Sequence, residues 1–218
     1  MNLNQKMIEK TEEFIKNKFS NSQYLKDHPS DREYRLQHSF RVANIGKLIA
    51  VKEGFDVTEM AIACLLHDVA YCNDFNTEDE WLEHGRNSAK IARPFLESLG
   101  LAQERIQNIC YGIAIHVDDK ADFEGEHTAF ALSVGDADNI DRFDVYRIYE
   151  SLQYVKFSEM SLDDKKEKVN STLLKLNDYH KKRLGTNTAT EMWKQKIEFR
   201  FLFYEKLKEQ LYNSVSII

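Results

Sequence analysis

The chain has 218 residues, 42% of them hydrophobic, which is enough apolar material for a real core and excludes disorder as the starting assumption. Only eight glycines and two prolines stand against abundant Leu, Ile, Lys, Glu and Ala, so strands and tight turns have little raw material and the expected fold is all-α. A formal charge of −6 argues against duplex nucleic-acid binding, which needs clustered Lys and Arg; an anionic small substrate would need a local cation, and a bound metal is the economical source.

The N-terminal stretch MNLNQKMIEKTEEFIKNKF carries charges every few positions and lacks the apolar centre of a signal peptide. No segment approaches a membrane span, so no membrane partner is expected. Met7, Ile8, Phe14, Ile15 and Phe19 recur at helical intervals and predict a helix over 3–19, followed by a polar loop through Pro29. From Tyr34 to Ala50 the stripe Tyr34, His38, Val42, Ile45 and Ile49 predicts a second helix, with His38 on its apolar face and Gly54 as the stop.

Asp56 is a plausible N-cap with Glu59 three residues on, and the run MAIACLLHDVAY that follows is the most apolar helix of the chain. The polar loop CNDFNTEDE leads to a helix from about His84 to Leu99, in which Pro94 marks a kink or a break. Ile106, Ile109, Cys110 and Ile113 continue the spacing and put His116 near a helix end, before the acidic loop VDDKADFEGEH. TAFALSVGDADNIDRF begins apolar and turns acidic at Asp136, as a buried helix does when its far end reaches a cleft. Amphipathic stretches near 162–184 and 187–212 complete the chain. Trp193, Phe199, Phe201, Phe203 and Tyr204 in the last one fit core packing, or else a face for a homodimer. Cys64, Cys72 and Cys110 form neither a CxxC pair nor an even disulfide set; free buried thiols in a reducing cytoplasm are expected.

An HD dipeptide is common by chance, so His67-Asp68 gains meaning only from its setting. It ends the apolar run AIACLL, where a carboxylate without a partner or a metal is costly. One alternative pairs Asp68 with Arg41, Arg86 or Arg142, and has His67 donate to a carbonyl. Against it stands His38 on a second core-facing stripe and Asp138 at the end of a third apolar helix, the pattern of a site inside a helical bundle. Two imidazoles and two carboxylates suit a divalent manganese, iron, zinc, nickel or magnesium ion with water in the remaining positions. Asp136 competes with Asp138 for the last place.

His38, then His67-Asp68 within LLHDVA, then Asp138 within GDADNID, resembles the HD-domain metal-dependent phosphohydrolases in order and helical setting. The motifs span about 34–145, and TNTATEMWKQKIEFRFLFYEKL is similar to the last helix of small bacterial stand-alone members, which implies one domain over 1–218 with a C-terminal helical extension from about 146. Ala70 stands where many relatives have glycine, and Asn139 where many have arginine; neither change removes a ligand. The resemblance implies His38, His67, Asp68 and Asp138 as metal ligands, one ion expected, and a small phosphorylated substrate such as a nucleotide. It further implies His84 and His116 as ligands of a second ion bridged by Asp68, unless each is an ordinary helix-end residue facing solvent. Asp68 and Asp119 are candidate catalytic carboxylates, with Asp118 beside the latter unless that loop is simply solvated. Arg41, Arg86 and Lys90 are candidate phosphate contacts, Arg41 also a catalytic one, unless they form surface ion pairs. A few HD-fold proteins are di-iron oxygenases, and a non-catalytic helical module with a structural metal is the third reading.

Overall fold

A computed structural model describes residues 2–217; among these there are eleven α-helices and no strand. By contacts the chain divides into two compact units, residues 1–138 and 139–218. The division falls just after Asp138, ahead of the helical extension expected from about 146.

In the first unit, α1 (Leu3–Asn21) runs past the expected end and is capped by Asn2, whose side chain accepts from Gln5 N. The stretch read as a polar loop is largely helical. It holds α2 (Gln23–Asp27), and α3 (Pro29–Glu53) begins on the proline itself. Proline serves well there, because its missing N–H falls among the unpaired donors of the first turn and its φ is already helical. Gly54, at φ 76°, ends α3 as expected. Ile15, Phe19 and Leu25 form an apolar cluster, with Leu36 and Cys72 packed on it, that ties α1 and α2 to the start of α3.

α4 (Val57–Leu66) is capped by Asp56, which accepts from the amides of Thr58 and Glu59 at 2.8 and 2.9 Å. Every residue from Met60 to Ala70 is buried, so this helix is the centre of the unit. The helix expected through Tyr71 gives way after Leu66 to a 3-10 turn (Val69–Cys72), and the short α5 (Glu78–Leu82) starts inside the predicted loop. α6 (His84–Ser98) keeps Pro94 inside it without a break. α7 (Gln103–Ile115) follows, and α8 (Ala129–Arg142) spans the boundary between the units.

The second unit begins with the rest of α8. It continues through α9 (Val145–Tyr154), which no periodicity argument had singled out, α10 (Leu162–His180) and α11 (Asn187–Tyr212). Trp193 and Tyr204 are buried, so those two aromatics do pack into a core, whereas Phe199 is exposed. No helix among the described residues is long and apolar enough to cross a membrane.

Candidate metal centre

α4 stops at Leu66, which leaves His67 in the capping position and turns Asp68 out of the helical register at φ −106°, ψ 14°. α7 likewise stops one residue before His116. Two helix C-termini therefore end at the same place, and their unpaired carbonyls favour a cation there. His38 arrives from α3, His84 from the first residue of α6 and Asp138 from α8. All but the part-buried His116 count as buried, His67 completely.

The imidazoles point inward through Nε2. His38 Nε2 lies 3.3 Å from His67 Nε2, and His84 Nε2 lies 3.2 Å from His116 Nε2. For three of the four rings the other nitrogen is fixed by a carbonyl three residues back: Nδ1 of His67 meets Cys64 O at 2.7 Å, that of His84 meets Trp81 O at 2.5 Å and that of His116 meets Ile113 O at 2.7 Å. With Nδ1–H so engaged, the neutral ring carries its lone pair on Nε2, the arrangement found behind metal-ligating histidines. Lone pairs facing each other at such distances repel unless a cation or a proton lies between them.

Asp68 distributes its two oxygens over the cluster. Oδ1 is 3.2 Å from His84 Nε2 and 3.6 Å from both His67 Nε2 and His116 Nε2; Oδ2 is 3.6 Å from His38 Nε2. Asp138 Oδ1 is 3.1 Å from His38 Nε2 and 3.9 Å from His67 Nε2. Three ligand-type groupings result, His38 with His67 and Asp68, His67 with His116 and Asp138, and Asp68 with His84 and His116. Each has its donor atoms within 4.8 Å of one another and could hold a metal ion. Nitrogen and carboxylate donors without thiolate fit a borderline or hard divalent ion.

Electrostatics follow from burial and mutual contact. Burial would raise the Asp68 carboxyl, but the charge of His67, the hydrogen bonds of His116 and His84 and the Arg35 guanidinium outweigh it and hold it well below the usual carboxylate range. Burial pushes His67 down to about 4. His116 goes the other way: burial lowers it, and its hydrogen bond and charge interaction with Asp68 more than restore it.

The structure thus brings His38, His67, Asp68, His84, His116 and Asp138 together. The other candidates fall outside the three groupings. Asp136, the rival of Asp138, is buried but belongs to none of the three groupings. Asp119, a candidate catalytic carboxylate, is exposed, sits at φ 62° and pairs with His127 at 2.9 Å; it belongs to none of the three groupings. Arg86, a candidate phosphate contact, is engaged by Asp118, both of whose oxygens accept from its Nη1 at 2.9 Å. Lys90 is exposed and held by Asp122 at 2.6 Å. Arg41 is half-buried one turn beyond His38.

Arg35, outside the candidates drawn from the motifs, reaches Asp68. Its Nη1 donates to Asp68 Oδ2 at 3.1 Å, and its guanidinium lies 3.3 Å from the centroid of the Tyr71 ring. Arg35 precedes His38 by three residues on α3, so the two share a face; that spacing was the available signal. Tyr71 and Trp81 then flank His84 at 5.0 and 5.7 Å between ring centroids, with Phe75 against Tyr71 at 4.9 Å. Ala70, where glycine was noted as usual, is fully buried and donates its amide to Ser88 Oγ at 3.0 Å, tying the 3-10 turn to α6.

A mixed histidine and aspartate centre on the inner ends of a helical bundle defines a class, and the sequence agrees: residues 35–145, about half of the chain, match the HD domain, and the chain belongs to that family. Its fold is shared by a predicted HD superfamily hydrolase from an uncultured Thermotogales bacterium, 19% identical, with a TM-score of 0.64 over 96% of this chain and 99% of that one. Bacillus subtilis YpgQ in complex with ADP superposes with a TM-score of 0.64 at 17% identity, over 96% of this chain and 97% of that one. Another crystal structure of Bacillus subtilis YpgQ gives a TM-score of 0.63 at 18% identity over the same shares. No curated protein matches the chain by sequence.

Proposed function

We propose that this protein is a metal-dependent phosphohydrolase that cleaves a phosphate ester or phosphoanhydride, in a nucleotide or related phosphorylated metabolite. The observation that carries the reading is the inward convergence of four imidazole Nε2 atoms on Asp68 and Asp138, with three of the rings locked from behind by carbonyls. His38, His67, Asp68 and Asp138 would hold one divalent ion, and Asp68 with His84 and His116 a second. A bound ion of this kind acidifies its water to give a nucleophile near neutral pH and polarises a phosphoryl oxygen.

The chain's own residues supply the rest. Arg35 keeps a permanent positive charge against Asp68 and is placed to offset charge on a phosphoryl group beside it. Tyr71, Phe75 and Trp81 offer ring faces next to His84, suited to a planar base. Binding of ADP by YpgQ, whose fold this chain shares, supports a nucleotide as the substrate class.

The test is a panel of phosphate monoesters and nucleoside di- and triphosphates with manganese, magnesium, cobalt and nickel, run beside Asp68→Asn. Ion-dependent release of phosphate or pyrophosphate, lost in a folded Asp68→Asn, is the expected result. No turnover of any phosphorylated compound would contradict the proposal, and bound iron with oxygen uptake instead would point to an HD-fold oxygenase.

A further inference from the structure

We propose that the C-terminal unit carries a separate anion site: a cavity of about 220 Å³, lined by Arg200 of α11 and Lys168 and Lys175 of α10, that takes a small oxyanion of the phosphate class. Helix periodicity assembles it. Lys168, Thr172 and Lys175 stand at i, i+4 and i+7 on α10 and so share one stripe, while Arg200 and Tyr204 stand at i and i+4 on α11. The cavity lies within residues 143–204, inside the second unit.

Arg200 is the central observation. It is only 8% exposed, and no ion pair among the described residues includes it. Its Nε is buried with no hydrogen-bond partner. Nη1 donates to the carbonyl of Arg142 at a long 3.4 Å, and the guanidinium rests 4.9 Å from the Phe143 ring centroid. A hydrogen bond with Tyr204 adds one neutral contact. Burial makes the charged form costly and lowers the Arg200 pKa from its ordinary value. The nearby carboxylate of Asp144 is taken by Lys196 at 2.6 Å. A buried cation left in this state is expensive unless a negative group completes it.

Nothing lining the cavity supplies that group. Among the described residues its walls contain three basic residues and no Asp or Glu, in a chain with 36 acidic residues against 30 basic. Neither Lys168 nor Lys175 is held in an ion pair among the described residues, and both side chains are exposed at the rim. A planar guanidinium with two flanking ammonium groups matches the several oxygens of a phosphate better than the single edge of a carboxylate. The volume lies below the range of pockets for drug-sized ligands, which fits an anion of this size.

The experiment is a calorimetric titration of chelator-treated full-length chain with inorganic phosphate, with glycerol phosphate and acetate in parallel. Saturable phosphate binding, weakened at least about tenfold in the Lys168→Gln, Lys175→Gln variant and lost in Arg200→Gln, is expected. The lysines are exposed, so the double variant tests the site even if Arg200→Gln fails to fold. Asp68→Asn, which removes the shared carboxylate of the metal centre, should bind phosphate unchanged. Glycerol phosphate binding as well as phosphate would assign a monoester-sized ligand, and phosphate alone the free anion. The proposal is overturned by an absence of saturable binding, by equal binding in the lysine variant, by loss only in Asp68→Asn, or by acetate binding as tightly as phosphate.

Discussion

Asp68 is the residue on which the candidate centre turns, because its two oxygens face different partners: Oδ1 the histidines of α6 and α7, Oδ2 His38 and Arg35. Arg35 therefore touches the carboxylate from the side opposite His84. In the proposed hydrolase, Arg35→Ala should leave the ion bound but lower kcat/KM by roughly 10–100-fold, the usual cost of removing a partner that orients a ligand. Metal analysis and steady-state kinetics on one preparation check this; loss of the metal together with the activity would make Arg35 structural instead. The ligand-type residues were legible in the sequence, since an imidazole on an apolar stripe and a carboxylate ending an apolar run are both costly without a partner. Arg35 was not, because Arg35 and Arg41 lie three residues to either side of His38 and spacing alone does not choose between them.

At the scale of elements, α6 and α7 must pack closely enough for His84 and His116 to meet at 3.2 Å. Gly85 permits this. A Cβ there would lie 2.6 Å from the Ala114 carbonyl oxygen and 3.1 Å from His116 Nδ1. Backbone cannot give way as a flexible side chain can, so Gly85→Ala should force the helices apart, cost about 1–3 kcal/mol in a denaturant melt, and weaken binding by the His84 and His116 pair. An unchanged melt would mean that the helices tolerate the shift. The long helices were readable from their apolar stripes, including the stop at Gly54. What periodicity missed were α2, α5 and α9: the first two have only five residues each, too few to establish a repeat. Pro29 was read as loop because proline is compatible with both a turn and a first helical residue, and only the chain that follows decides.

Across the whole molecule, the thiols report how tightly it is packed. Cys64 is fully buried and desolvation drives its thiol far up; Cys110 is pushed up to about 11 by the same cause, and Cys72 is half-buried. A thiol whose pKa lies above the working pH holds little thiolate, the reactive form. At pH 8, a disulfide reagent should therefore label Cys72 well before Cys64 and Cys110, which should react only on unfolding; prompt labelling of all three would contradict the burial. A bulk charge of −6 hid a cavity lined by three basic residues, because net charge says nothing of which helix faces gather which residues. The central claim is that the clustered histidines and aspartates hold metal. Elemental analysis of the purified chain beside a His67→Ala, Asp68→Ala variant, its fold checked by circular dichroism, tests it most directly. One or two divalent ions per chain, lost in the folded variant, are expected; equal metal content in the two proteins would rule the metal centre out.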